Sequence, residues 1–258
     1  MENEERASSR RRWWGEFELD RGSGARWEVG PSTLWLYRAH REWRLVHDAA
    51  LDPADSNPLA DRSDPSIPVT DEEIETALRG DQAHLDVSRH SVRETGPRID
   101  LRPALADRFV VSRPEQPLHV PSGERVTLYL STPLWIRAVL PEPDRTLREF
   151  PSYRLSDTWF GTSTVDGEFC YAARTSGRLE MESAPVRLHR AITPLRITNS
   201  ADEALLLERV QIPVPHLSVY VTPNDALWTE SVRMTHRQAG GGAAVEIQSG
   251  APAGIEAA

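Results

Sequence analysis

The chain has 258 residues, 39% of them hydrophobic and 27% charged, with a formal net charge of −9; this composition excludes global disorder and allows one large domain or two small ones. All 30 basic residues counted as Lys+Arg are arginine. Without lysine there is no Walker-type phosphate loop, no kinase ATP-lysine, no Schiff base and no Ser–Lys dyad, because each needs a compact amine.

Near the start, Ser9-Arg10-Arg11-Arg12-Trp13-Trp14 has the form of a twin-arginine export signal. The chain continues Gly15-Glu16-Phe17-Glu18-Leu19-Asp20, alternating apolar and acidic residues where a signal needs an apolar stretch, so export is not expected. No window approaches the roughly 18 apolar residues of a membrane helix, so no membrane span is expected. Residues 1–48 predict a small Trp-rich β-subdomain of short strands at 16–19, 26–29, 33–37 and 42–47, divided by Gly-Ser-Gly, Gly-Pro-Ser and Ala-His-Arg turns. Trp13, Trp14, Trp27, Trp35 and Trp43 fall in this block. They read as the core of a small sheet in preference to a platform for carbohydrate or peptide.

Residues 49–80 predict an acidic loop and one short helix. Between Asp48 and Asp86 there are 11 acidic residues and two arginines, a net −9, which leaves 28 acidic and 28 basic residues in the remainder. The Pro/Asp/Ser composition reads as a solvated loop; a calcium loop would need the EF-hand order and its mid-loop glycine. Thr70-Asp71-Glu72-Glu73 is a capping box, Ile74, Ala77 and Leu78 form an apolar stripe, and Gly80 stops the helix. Residues 81–237 predict the main antiparallel β-sandwich, with short β-rich runs at roughly ten-residue spacing and prolines between them. Residues 238–258 predict a disordered Ala/Gly-rich tail. The expected fold class is all-β.

Three stretches carry a resemblance: Pro117-Leu118-His119-Val120-Pro121 with Val126–Pro133; Trp159-Phe160-Gly161 with Asp166–Tyr171; and Leu195–Ser200 with the strand pair ending in Val219-Tyr220. With the opening Trp14–Leu19, the sequence resembles the largely archaeal domain-of-unknown-function family 432. The resemblance implies a β-rich protein and brings no activity, cofactor or catalytic residue. Against it, the acidic segment is long and polar and reads as an insertion.

Two constellations could carry chemistry. A strand over 81–90 would align His84, Asp86, Ser88 and His90 on one face, and His84 with Asp86 could begin a metal site completed by His40, His47 or His119. The plain alternative, which the sequence favours, is the solvent face of a half-buried strand. The loop 156–171 gathers Asp157 and Glu168, a potential acid–base pair for glycoside chemistry, with Trp159, Phe160 and Tyr171 as ligand contacts. Its Asp166-Gly167 equally reads as a tight hairpin turn. Cys170, the one cysteine, sits among strand aromatics and reads as buried and inert; lone and unpaired, it fits a cytoplasmic setting. The short basic cluster at 10–12 is too small a footprint for nucleic acid. The expected function is a non-enzymatic binding or regulatory module for a protein or small ligand, without a cofactor. The alternative is a metal-dependent hydrolase or carbohydrate-active enzyme.

Overall fold

The computed structural model describes residues 12–50, 67–79, 85–114, 116–161, 163, 165–175, 177–184, 186–237 and 243–255. It is nearly all β, with several antiparallel sheets and, among the described residues, one α-helix. No described helix is long and apolar enough to cross a membrane. The chain folds as two compact units, Met1–Ala104 with Leu134–Arg154, and Leu105–Pro133 with Leu155–Ala258.

The first unit holds two sheets. One runs in the order β1 (Gly15–Glu18), β7 (Arg98–Ala104), β11 (Trp135–Pro141), β12 (Asp144–Pro151). The other runs β5 (Ile67–Val69), β2 (Ser23–Val29), β3 (Ser32–Arg38), β4 (Glu42–Ala49), β6 (Leu85–Ser91). Alternation sends Ala25, Trp27 and Val29 of β2 and Leu34 and Leu36 of β3 into the core between them. Ring contacts join the layers: Phe17 lies 5.1 Å from Trp27 and His47 lies 4.8 Å from Phe150. Trp13, Trp27 and Trp43 are fully buried, as the core reading of the tryptophans expects. The opposite face of β3 is covered by α1 (Asp71–Arg79), whose Ile74 packs with Tyr37 and Val69. Its capping box forms as expected, with the Glu73 amide donating to Thr70 Oγ1 at 3.3 Å and the Thr70 amide to Glu73 Oε2 at 2.8 Å.

The second unit contains the sheet β13 (Ser156–Gly161), β14 (Gly167–Thr175), β8 (Val110–Pro114), β17 (Val210–Ile212) and the pair β16 (Leu205–Leu207), β9 (Leu118–Val120). Its largest sheet runs β18 (Val219–Val221), β19 (Leu227–Thr229), β15 (Arg190–Asn199), β20 (Ser231–His236), β21 (Ala244–Gln248), with β10 (Arg125–Pro133) also paired to β15. β8–β14, β15–β19 and β15–β20 are parallel.

Sheet pairing crosses the divisions drawn from composition. β6 and β7, expected in a main sandwich beginning at 81, complete the two sheets of the first unit, as do β11 and β12. The tail also differs from its expectation: Ala244–Gln248 pairs antiparallel with β20, and Ile255 packs beside Trp228. The Val-Glu-Ile-Gln alternation there supplies a strand that the surrounding Ala and Gly mask. Pro194, expected between strands, lies inside β15. It occupies the gap where the parallel partner changes from β19, at Ile192, to β20, at Leu195, so no ladder donor is lost.

Candidate functional site

The stretch 156–171 is a hairpin on the edge of its sheet. β13 and β14 pair from Ser156↔Ala172 to Gly161↔Gly167, so Gly167 belongs to β14 and the strands are not joined by a two-residue Asp-Gly turn. Ser163 organises the connection: its Oγ accepts from the amides of Val165 at 3.2 Å and Asp166 at 3.1 Å, and its carbonyl accepts from Trp159 Nε1 at 2.8 Å. A Cβ on Gly167 would run into the Trp159 indole, so only glycine lets the ring lie across the turn.

Register divides the expected site residues. Cross-strand partners share a face, which places Asp157 with Tyr171 and Trp159 with Phe169 on one side, and Phe160 with Glu168 on the other. Glu168 and Tyr171 are an odd number of residues apart, so Asp157 and Glu168 cannot converge across a cleft as an acid–base pair. Phe160 is likewise separated from Trp159 and Tyr171.

On the first face Trp159 is 39% exposed and Phe169 50%, with Val165 at the tip 86% exposed. All the other tryptophans are buried or half-buried. Arg108 spans this face, 4.8 Å from the Phe169 centroid and 5.1 Å from that of Tyr171, and donates to Asp157 at 3.3 Å. The Tyr171 hydroxyl donates to Asp107 at 3.1 Å, and burial, reinforced by the Asp107 carboxylate, pushes its pKa up. On the second face Arg209 lies 5.2 Å from the Phe160 centroid, and Gln211 donates to Glu168 at 2.7 Å. Cys170 is buried below, its thiol pushed up by burial. Arg108 and Arg209 had no sequence signal, because their elements meet the hairpin only through strand pairing.

The second constellation lies on β6. His84 is outside the described residues. Asp86, Ser88 and His90 share a face, but it turns inward: all three are half-buried while Val87 is 42% exposed. Asp86 lies opposite His47 in register, and its two oxygens accept from Arg148 Nη2 at 2.8 and 2.6 Å. His90 Nε2 lies 3.2 Å from Ser88 Oγ, and burial, then Arg148 and Arg145, hold its pKa down. His47 is buried against Phe150 and hydrogen-bonds the Pro151 backbone; burial pushes its pKa down to about 4. Both β6 and β12, which carries Arg148, are edge strands, and inward charge at an edge resists pairing with other chains. Of the further ligands expected, only His47 meets Asp86; His40 sits in the β3–β4 turn and His119 is exposed on β9. Among the described residues no group of three or more His, Cys, Asp or Glu could hold a metal ion.

Neither curated proteins nor solved structures give a match to this chain. A family model described as a protein of unknown function, DUF432, matches residues 13–257, nearly the whole length, and the chain belongs to that family.

Proposed function

We propose that this protein is a non-enzymatic binding module, suited to an accessory or regulatory role, that takes an extended basic segment of a partner protein along the β13 edge. The observation that carries this reading is the exposed Trp159–Phe169 pair on an edge hairpin, in a chain that buries its other tryptophans wholly or in part. β13 ends its sheet and has no proline within Ser156–Gly161, so its outer backbone row can accept an added strand. Alternate side chains of that strand would meet Trp159 and Phe169, and aromatic rings of this kind dominate contact energies. On the side of these rings stand the carboxylates Asp107 and Asp157, with Asp166 at the turn, against the guanidinium Arg108, an excess of two negative charges. That excess favours a basic partner segment and disfavours nucleic acid. The lone reduced thiol of Cys170 supports a cytoplasmic setting.

The test uses a fluorescein-labelled decapeptide alternating valine and arginine, followed by anisotropy with the full chain. Saturable binding that weakens at least about tenfold in Trp159→Ala/Phe169→Ala supports the proposal. Absence of binding, an unchanged affinity in the double variant, or equal binding of a valine–glutamate peptide overturns it.

A further inference from the structure

A separate feature of the first unit is a cleft of about 490 Å³ between the loop 91–98 and the β11–β12 turn. Its charged lining is Arg93, Glu94, Arg98, Glu142 and Arg145. The two carboxylates are already committed. Glu142 pairs with Arg98, which also reaches Glu16 at 3.4 Å, and Glu94 pairs at 3.0 Å with Arg21, which is outside the lining. Among the described residues neither Arg93 nor Arg145 forms an ion pair, so two uncompensated guanidiniums line one cavity. Arg145 also contributes, after burial and Arg148, to holding the His90 pKa down.

The loop bearing Arg93 is anchored. Thr95 is 2% exposed; its carbonyl accepts from Arg38 Nη2 at 2.6 Å and its Oγ1 from Arg38 Nε at 3.2 Å. Thr95 Oγ1 in turn donates to the Ala39 carbonyl at 2.8 Å. Arg38 is itself buried and also donates to the Leu19 carbonyl at 2.9 Å. Buried hydrogen bonds thus hold the backbone two residues from Arg93, which lowers the ordering cost of binding there. Arginine's planar fork suits phosphate and carboxylate oxygens alike.

We infer that this cleft binds a small polyvalent anion, a molecule carrying at least two phosphate or carboxylate groups, held between Arg93 and Arg145. The site is distinct from the β13 hairpin and does not depend on the reading of that hairpin. Because both arginines are exposed and unpaired, their removal leaves the fold intact, and an unchanged melting temperature without ligand verifies this. Isothermal titration of the full chain would use pyrophosphate in one arm and citrate in the other, at constant ionic strength. Saturable binding of either probe, weakened at least about tenfold in Arg93→Ala/Arg145→Ala and unaltered in Arg108→Ala, supports the site, and the stronger arm names the ligand chemistry. No saturable binding in either arm, or equal loss in Arg108→Ala, overturns it.

Discussion

His47 and His189 are 3% and 2% exposed, and burial pushes their pKa values down to about 4 and about 3, with Arg190 and Arg187 adding to the effect at His189. The unfolded chain protonates both near the ordinary imidazole value of about 6.5, whereas the folded chain keeps them neutral. The stability they confer is therefore complete above about pH 6.5 and is lost as pH falls toward the folded values. At about pH 5 the loss is roughly 2 kcal/mol for each histidine. Urea unfolding at about pH 7.5 and about pH 5 should show this fall, and His47→Phe, which keeps a ring against Phe150, should remove its own share. An identical pH dependence in that variant would show that His47 is not the titrating group. Asn199 illustrates the cost of a lost donor. Fully buried, it donates to the carbonyls of Val120 at 2.9 Å, Pro121 at 3.2 Å and Glu203 at 2.8 Å, and accepts from the Ala201 amide at 3.1 Å. Asn199→Ala strands these groups and should cost about 2–4 kcal/mol in denaturant unfolding. Asn199→Asp, which keeps the acceptor and loses the donors, should not restore the loss.

At the scale of elements, α1 is held by one close approach. A Cβ on Gly24 of β2 would stand 2.7 Å from Ile74 Cδ1 and 2.7 Å from the Leu36 carbonyl oxygen, so the helix can seat Ile74 only over glycine. Gly24→Ala should destabilise by about 1–3 kcal/mol and raise hydrogen exchange across 71–79. Thr70→Ala, which removes the cap without disturbing the seat, should cost about 1 kcal/mol. Exchange that is unchanged in Gly24→Ala would mean that α1 docks elsewhere. This helix was legible in the sequence because capping chemistry and the Ile74 stripe are local. The strands of the first 48 residues were legible for the same reason, since alternation and turn residues specify each one separately. Partnership was not legible. That Glu168 faces away from Asp157, or that the polar side of β6 turns inward, is set by register and by which edge a strand occupies. Neither leaves a trace in spacing, because a strand's two faces are equivalent until a partner is chosen.

For the whole molecule, the charge distribution bears on why the chain lacks lysine. A surface adapted to high salt would be acidic throughout, and would need molar salt to relieve its own repulsion. Here the entire excess of −9 falls between Asp48 and Asp86, while the remaining 28 acidic and 28 basic residues cancel. Within that neutral remainder several arginines are engaged in partly exposed pairs, such as Arg102 with Asp100 at 2.5 Å and Asp144 at 3.1 Å, or Arg137 with Glu149 at 2.5 Å. Pairs of this kind contribute about 0–1 kcal/mol each, and salt screens them only modestly. Codon bias toward arginine explains the missing lysine better than salt adaptation does. The chain should then unfold cooperatively at about 0.1 M KCl, and its stability should change by less than about 1 kcal/mol between about 0.1 and 1 M. A protein that is unfolded at low salt and gains structure only as KCl rises toward molar would overturn this reading. It would also place the destabilising repulsion in the acidic segment, which a variant with its Asp and Glu residues replaced by Asn and Gln would then confirm by folding without salt.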